Sequence, residues 1–117
     1  MFRVIIAGSR DFDDYSLLKT KMDSLLRNKD DDVCVVCGEA RGADTLGRRY
    51  AEERGYQIMS FPAKWSEHGK QAGYLRNIEM AENADALVAF WNGESHGTKH
   101  MIDTAKRYGL QIRIIEV

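Results

Sequence analysis

Residues 33–55 constrain the fold most, because the hydrophobic period changes across a pair of glycines. Val33-Cys34-Val35-Val36-Cys37 is a short apolar run of the kind that forms a buried strand. The run breaks at Gly38, crosses a polar turn and restarts at Gly42, after which Ala43, Leu46, Gly47, Tyr50 and Ala51 fall at helical spacing. Gly55 stands in the C-terminal capping position. A strand, glycine turn and helix in this order leave backbone N–H groups unpaired at the helix start, where the helix dipole favours an anion such as phosphate. Arg41 beside the turn offers a fork-shaped donor to the same oxygens. The glycines also suit a plain tight turn, and neither G-x-G-x-x-G nor G-x-x-x-x-G-K-[ST] is present.

The same alternation runs along the chain. Residues 2–7 form a nearly continuous apolar run and predict a first strand buried on both faces. Asp13 or Asp14 caps a helix whose Tyr15, Leu18, Met22, Leu25 and Leu26 make one stripe. Residues 29–32 are a solvated return. Residues 57–61 predict a third strand closed by Pro62, the single proline, and residues 63–69 form the longest irregular piece. A helix follows over about residues 70–83, then a strand over 86–90, a helix around Met101, Ile102 and Ala105, and a fifth strand holding Ile112, Ile114 and Ile115. Strands alternating with helices predict a Rossmann-like three-layer α/β/α sandwich with a mainly parallel sheet of about five strands. At 117 residues the chain is read as a single domain, 1–117.

In such sheets ligands bind beyond the carboxyl ends of the strands. Three polar turns fall there: Gly8-Ser9-Arg10, the 38–44 turn with Gly38, Arg41, Gly42, Ala43 and Asp44, and the 93–98 turn with Gly93, Gly97 and Thr98. Gly97-Thr98 opens the last helix as a second anion site or as a cap. On the preceding helix Gly73, Arg76, Asn77 and Met80 share one face, which suits solvent, a ligand or a partner subunit. Trp91, directly after a buried strand, is the better aromatic ligand contact; Trp65 is read as covering the core. Cleavage of a glycosidic bond would need a placed carboxylate, and Glu39 and Asp44 are the candidates.

Charge narrows the partners. Seventeen basic against eighteen acidic residues give a net charge of −1, which argues against nucleic acid. No apolar run reaches membrane-spanning length and no signal-peptide layout opens the chain, so a cytoplasmic protein without a membrane partner is expected. Cys34 and Cys37 alternate across a strand and are read as buried thiols. His96 and His100 lack a supporting cluster, so no metal and no cofactor are expected.

Taken together, these segments resemble the SLOG superfamily, the Rossmann-like domains of the Smf and LOG proteins, and within it the YspA-type branch. The resemblance runs through VIIAGSRDF at 4–12, GEARGADTLGRRYAEERG at 38–55, FPAKW at 61–65, RNIEM at 76–80 and ALVAFWNGESHGTKHMI at 86–102. It implies a nucleotide or nucleotide-derived ligand, with sensing as one role. The Gly38 and Gly42 turn is then similar to a phosphate-binding turn, Arg76 to the LOG helix arginine, and Gly97-Thr98 to the Gly-Thr of the LOG phosphate helix. LOG enzymes are phosphoribohydrolases that cut a nucleotide N-glycosidic bond with glutamates following that Gly-Thr. Lys99, His100 and Met101 stand there instead, and Gly38-Glu39 replaces the LOG glycine pair. Binding survives this departure better than catalysis does. Single-stranded DNA binding and a homodimer are the remaining expectations from relatives.

Overall fold

Uninterrupted apolar sequence puts three strands in the middle of the sheet. Every residue of Val33–Cys37 is buried, as are Val4 to Ala7 and Ala86 to Phe90. The computed structural model describes residues 1–29 and 32–117. The chain forms strands β1 (Phe2–Gly8), β2 (Val33–Cys37), β3 (Gln57–Ser60), β4 (Ala86–Trp91) and β5 (Gln111–Glu116). Between them lie helices α1 (Tyr15–Leu26), α2 (Ala43–Arg54), α3 (Trp65–His68), α4 (Ala72–Glu82) and α5 (His96–Arg107). All strand pairs are parallel, in the order β3-β2-β1-β4-β5.

Period-two alternation splits the core between the faces. Val4, Ile6, Val35 and Val88 pack on one side with Leu18 and Met22 of α1 and Tyr50 and Ala51 of α2. Ile5, Ala7, Val36 and Leu87 pack on the other with Met80 of α4 and Met101 and Ile102 of α5. Burying one such aliphatic side chain stabilises the fold by about 2 kcal/mol. The result is the expected three-layer Rossmann-like sandwich.

Local signals set the helix ends. The Asp14 carboxylate accepts the Leu17 N–H at 3.1 Å and starts α1. Gly55, in the left-handed region at φ 72°, ends α2. Strands β1, β3 and β4 end within one residue of expectation, and larger differences fall in three places. Residues 63–69 are not wholly irregular, since α3 and a single 3₁₀ turn (Gly69–Gln71) bring the chain onto α4. That helix accordingly begins at Ala72 rather than residue 70. The last helix begins at His96, because Ser95 rather than Thr98 is its cap, accepting the Thr98 N–H on its hydroxyl. The expected return at residues 29–32 falls partly on Asp30 and Asp31, outside the described residues.

The sheet order carries the functional consequence. From β1 the chain steps outward through β2 to β3, then crosses back past β1 to β4 and β5. The order therefore reverses between β1 and β4, and the loops leaving these neighbours diverge around a crevice.

Candidate functional site

At the crevice the two loops are tied together at their base. Ser9, almost fully buried, donates its N–H to the Phe90 carbonyl at 3.0 Å and accepts the Asn92 N–H on its hydroxyl at 3.1 Å. Its carbonyl accepts from Phe12 and Ala43, which docks the start of α2 beneath the β1 loop. Gly42 makes that approach feasible. A Cβ there would lie 2.1 Å from the Ser9 carbonyl oxygen, and φ is 80° with ψ −130°, a conformation that belongs to glycine.

Above this base opens a cavity of about 240 Å³. Gly8 and Arg10 come from the β1 loop, Asp44 from α2, Arg76 and Asn77 from α4, and Gly97 and Thr98 from α5. The face of α4 that carries Arg76, Asn77 and Met80 thus turns inward, with Asn77 and Met80 buried, while Leu75 is exposed. An adjoining cavity of about 360 Å³ collects Gly38, Glu39 and Arg41 together with Arg10 and Arg76.

Asp44 is the carboxylate of the main cavity. It is 5% exposed and accepts backbone hydrogen bonds from Ala40 and Gly38. Of the N–H groups of the 38–44 turn that the sequence offers to a phosphate, those of Gly38 and Ala40 are therefore directed at this side chain, and that of Ala43 is taken by the Ser9 carbonyl. Burial pushes the Asp44 carboxyl up to about 6, against the pull of the Arg76 charge and the two backbone donors. Arg76 is shifted downward by its own burial, held up by Asp44 and lowered again by the nearby Arg10 charge. Its Nη1 donates to the Gly38 carbonyl and its Nε to Asn77 Oδ1 at 3.1 Å. Gly38 must stay small, because a Cβ would sit 2.5 Å from Arg76 Nη1 and 2.9 Å from Asp44 Oδ2.

Asn77 uses its amide within the protein. Besides accepting from Arg76, it donates Nδ2 to the Gly97 carbonyl at 3.4 Å and meets His100 Nδ1 at 3.1 Å. It is a positioning residue that locks α4 to the first turn of α5. Burial, followed by the Arg107 charge, lowers the His100 pKa, and the ring packs on Tyr74 with centroids 4.4 Å apart. With Nδ1 accepting, the neutral imidazole carries its proton on Nε2. Among the described residues no three His, Cys, Asp or Glu side chains converge on a common metal position. Cys34 and Cys37 are buried free thiols, with pKa values raised by that burial.

Five sequence candidates line neither cavity. Ser9, Gly42 and Ala43 form the floor beneath. Gly93 lies in the exposed loop before α5, where a Cβ would meet open space. Trp91 is spent structurally, for its indole N–H donates to the Ser95 carbonyl at 3.0 Å while the ring packs on the core. The two tryptophans thus exchange roles: Trp65, 54% exposed, lines both cavities. Glu39 sits at φ 59°, and its carboxylate is ion-paired with Arg48 and accepts from Ser60 at 3.1 Å. Lys70, Tyr74 and Ser95 also line the main cavity without having been singled out. Extending the Arg76–Asn77 face back by one to two helical turns reaches Tyr74 and Lys70.

Asp44 gives the site a measurable signature. An unfolded aspartate titrates near about 4, so between about pH 4 and 6 the native state alone keeps its proton. Raising pH through that window therefore lowers stability, by about 2–3 kcal/mol from this group, with no further loss above it. Asp44→Asn is expected to remove that slope when unfolding free energies are compared at pH 4.5 and 7.5. An unchanged slope would assign the buried carboxyl an ordinary titration.

A family model described as the YspA, cpYpsA-related SLOG family matches residues 2–68. That span holds β1 and the 38–44 turn; the α4 and α5 walls of the cavity lie beyond it. The Gene 61 protein of Mycobacterium phage D29 is 37% identical over 118 residues, covering 96% of this chain and 94% of the phage protein. DNA processing protein A (DprA) from Streptococcus pneumoniae superposes with a TM-score of 0.76 at 15% identity, over 99% of this chain and 50% of DprA. DprA from Helicobacter pylori, described for its single-stranded DNA binding mode, gives a TM-score of 0.68 at 17% identity, over 97% of this chain and 64% of DprA. Likeness at these identities is likeness of fold. The chain spans about half of the Streptococcus protein. Among the described residues no helix is long and apolar enough to cross a membrane.

Proposed function

Since this chain belongs to the YspA, cpYpsA-related SLOG family, we propose that it binds a nucleotide or nucleotide-derived small molecule in the cavity between β1 and β4. One observation carries the reading. Arg10, Lys70 and Arg76 line the cavity against a single carboxylate, Asp44, and the aromatic rings of Trp65 and Tyr74 stand beside them. Cations supply the charge-assisted hydrogen bonds a phosphate needs, and an aromatic face can stack on a base. The phosphate goes to Arg10 and Arg76 at the first turn of α5, where the His96 and Gly97 N–H groups have no acceptor among the described residues. The 38–44 turn then shapes the site through Asp44 rather than cradling phosphate itself. Residues 1–117 act in this reading as one cytoplasmic binding domain suited to sensing.

A second reading, hydrolysis of a nucleotide N-glycosidic bond, is favoured by Asp44 alone. A buried carboxyl titrating near neutrality inside a cleft suits proton transfer or stabilisation of a cationic sugar. Glu39, engaged by Arg48, suits it less. Single-stranded DNA enters as a third reading through the Helicobacter neighbour, and it predicts affinity that falls steeply with salt.

Thermal stability measured with AMP, GMP, ADP-ribose, NAD and ribose 5-phosphate tests the first reading. A ligand at one hundred times its Kd stabilises the folded state by about 2.7 kcal/mol, a rise of several degrees in Tm. A selective rise supports binding, and assaying that compound for base release with wild type and Asp44→Asn separates binding from turnover. A flat panel together with a salt-sensitive oligonucleotide shift would replace the first reading by the third.

A further inference from the structure

The space around Arg76 has two lobes, and the nucleotide reading leaves the second one idle. Arg10, Ala40, Trp65 and Arg76 are common to both cavities, so the two adjoin across the Arg76 side chain. Each lobe also has a cation of its own, Lys70 on the α5 side and Arg41 on the β2 side. Among the described residues none of these four cations forms an ion pair. Of the two carboxylates present, Glu39 is taken by Arg48, and the single charge of Asp44 is set against Arg76 as well as its backbone donors.

Arg76 sits at the junction with spare capacity. Its Nε and Nη1 are used by Asn77 and Gly38, while Nη2 has no protein acceptor among the described residues. An Nη2 amine carries two protons, enough to donate to oxygens on either side. A single phosphate in the α5 lobe satisfies Lys70 and Arg76 and leaves Arg41 facing an unneutralised space. Two linked phosphates satisfy both lobes.

We propose that the site selects a diphosphate: the ligand is a nucleoside diphosphate, free or esterified, whose phosphates straddle Arg76 with one near Lys70 and the other near Arg41. This inference rests on the nucleotide reading. Trp65, exposed where the lobes meet, closes over the same group, and its ring lies over Gly73, where a Cβ would be 3.4 Å from the indole.

Titration calorimetry with the pairs AMP and ADP, and GMP and GDP, in metal-free buffer at fixed ionic strength tests this. The diphosphate of the preferred base is expected to bind at least about tenfold tighter than the monophosphate, about 1.4 kcal/mol. Arg41→Ala, at an exposed loop position, is expected to bring that ratio close to one. Equal affinities in the wild type, or a ratio that Arg41→Ala leaves intact, would overturn the proposal while sparing the nucleotide reading. Should none of the four, nor ADP-ribose or NAD, bind folded protein, both fall together. An oligothymidylate that binds tighter than any of them, with an affinity that Arg41→Ala weakens, would assign the second lobe to the next phosphate of a nucleic-acid strand instead.

Discussion

Gly42→Ala is expected to remove more than about 3 kcal/mol of stability, a large share of the roughly 5–15 kcal/mol that a domain possesses. Two costs act together. The backbone at Gly42 occupies a region that an L side chain enters at about 1–3 kcal/mol. The new methyl would also be forced to within 2.1 Å of the Ser9 carbonyl oxygen, which is backbone and cannot swing aside. Gly93→Ala serves as the control for a positive-φ glycine without a clash, because Gly93 has φ 82° and no atom within 4 Å of its built Cβ. Urea unfolding should show a loss of about 1 kcal/mol for Gly93→Ala and at least three times that for Gly42→Ala. Equal losses would mean that the β1 loop and α2 can separate freely, and the floor assigned to the cavity would lose its rigidity.

Arg76→Ala should have the largest effect on binding, lowering affinity for the best ligand of the panel at least about 100-fold, or about 2.7 kcal/mol. The substitution removes the one cation shared by both lobes that is also partly buried, where charge-assisted bonds are strongest. It also strips the buried Asp44 of its compensating charge, so the carboxyl is pushed further up. Stability of the variant should therefore fall more at pH 8 than at pH 5. The double variant Arg76→Ala with Asp44→Asn is expected to recover stability at pH 8 without recovering binding. That combination separates loss of the ligand contact from loss of the fold; restored binding in the double variant would show that Arg76 only neutralises Asp44. Arg76→Lys keeps the charge but not the planar fork, and should fall in between.

Much of this was legible because burial writes itself into sequence. Residues 33–37 and 86–90 are apolar without interruption, which a strand in the middle of a parallel sheet requires. Asp14 and Gly55 announced the ends of their helices because caps act within a few residues. The site was legible at the level of turns and less so at the level of side chains. Asp44 reads in sequence as a candidate carboxylate for bond cleavage; only in three dimensions does it turn back onto Gly38 and Ala40. Trp65 was misjudged because residues 63–71 carry no hydrophobic period, their path being set by packing on α4. Trp91 ends a buried strand, and one hydrogen bond to Ser95 binds its indole to the loop that follows. Arg76 is a candidate in the sequence, but that the protein itself holds two of its five N–H donors is visible only with Gly38 and Asn77 beside it.

The strand order has a kinetic consequence. β1 and β4 are adjacent in space but far apart along the chain; the Arg3 N–H meets the Asp85 carboxylate across 82 positions. β2 can pair with β1, and β3 with β2, soon after nucleation, whereas closing the loop to β4 costs the most chain entropy and comes late. The crevice is made by that closure, so under the nucleotide reading binding becomes possible only at the end of folding. In stopped-flow refolding, capture of a fluorescent nucleotide should track the slowest phase, while capture in an earlier phase would put the binding residues on the β1–β3 half alone. Synthesis imposes the same order, and a ribosome-bound chain stopped before β4 would be ordered in part and still lack the crevice.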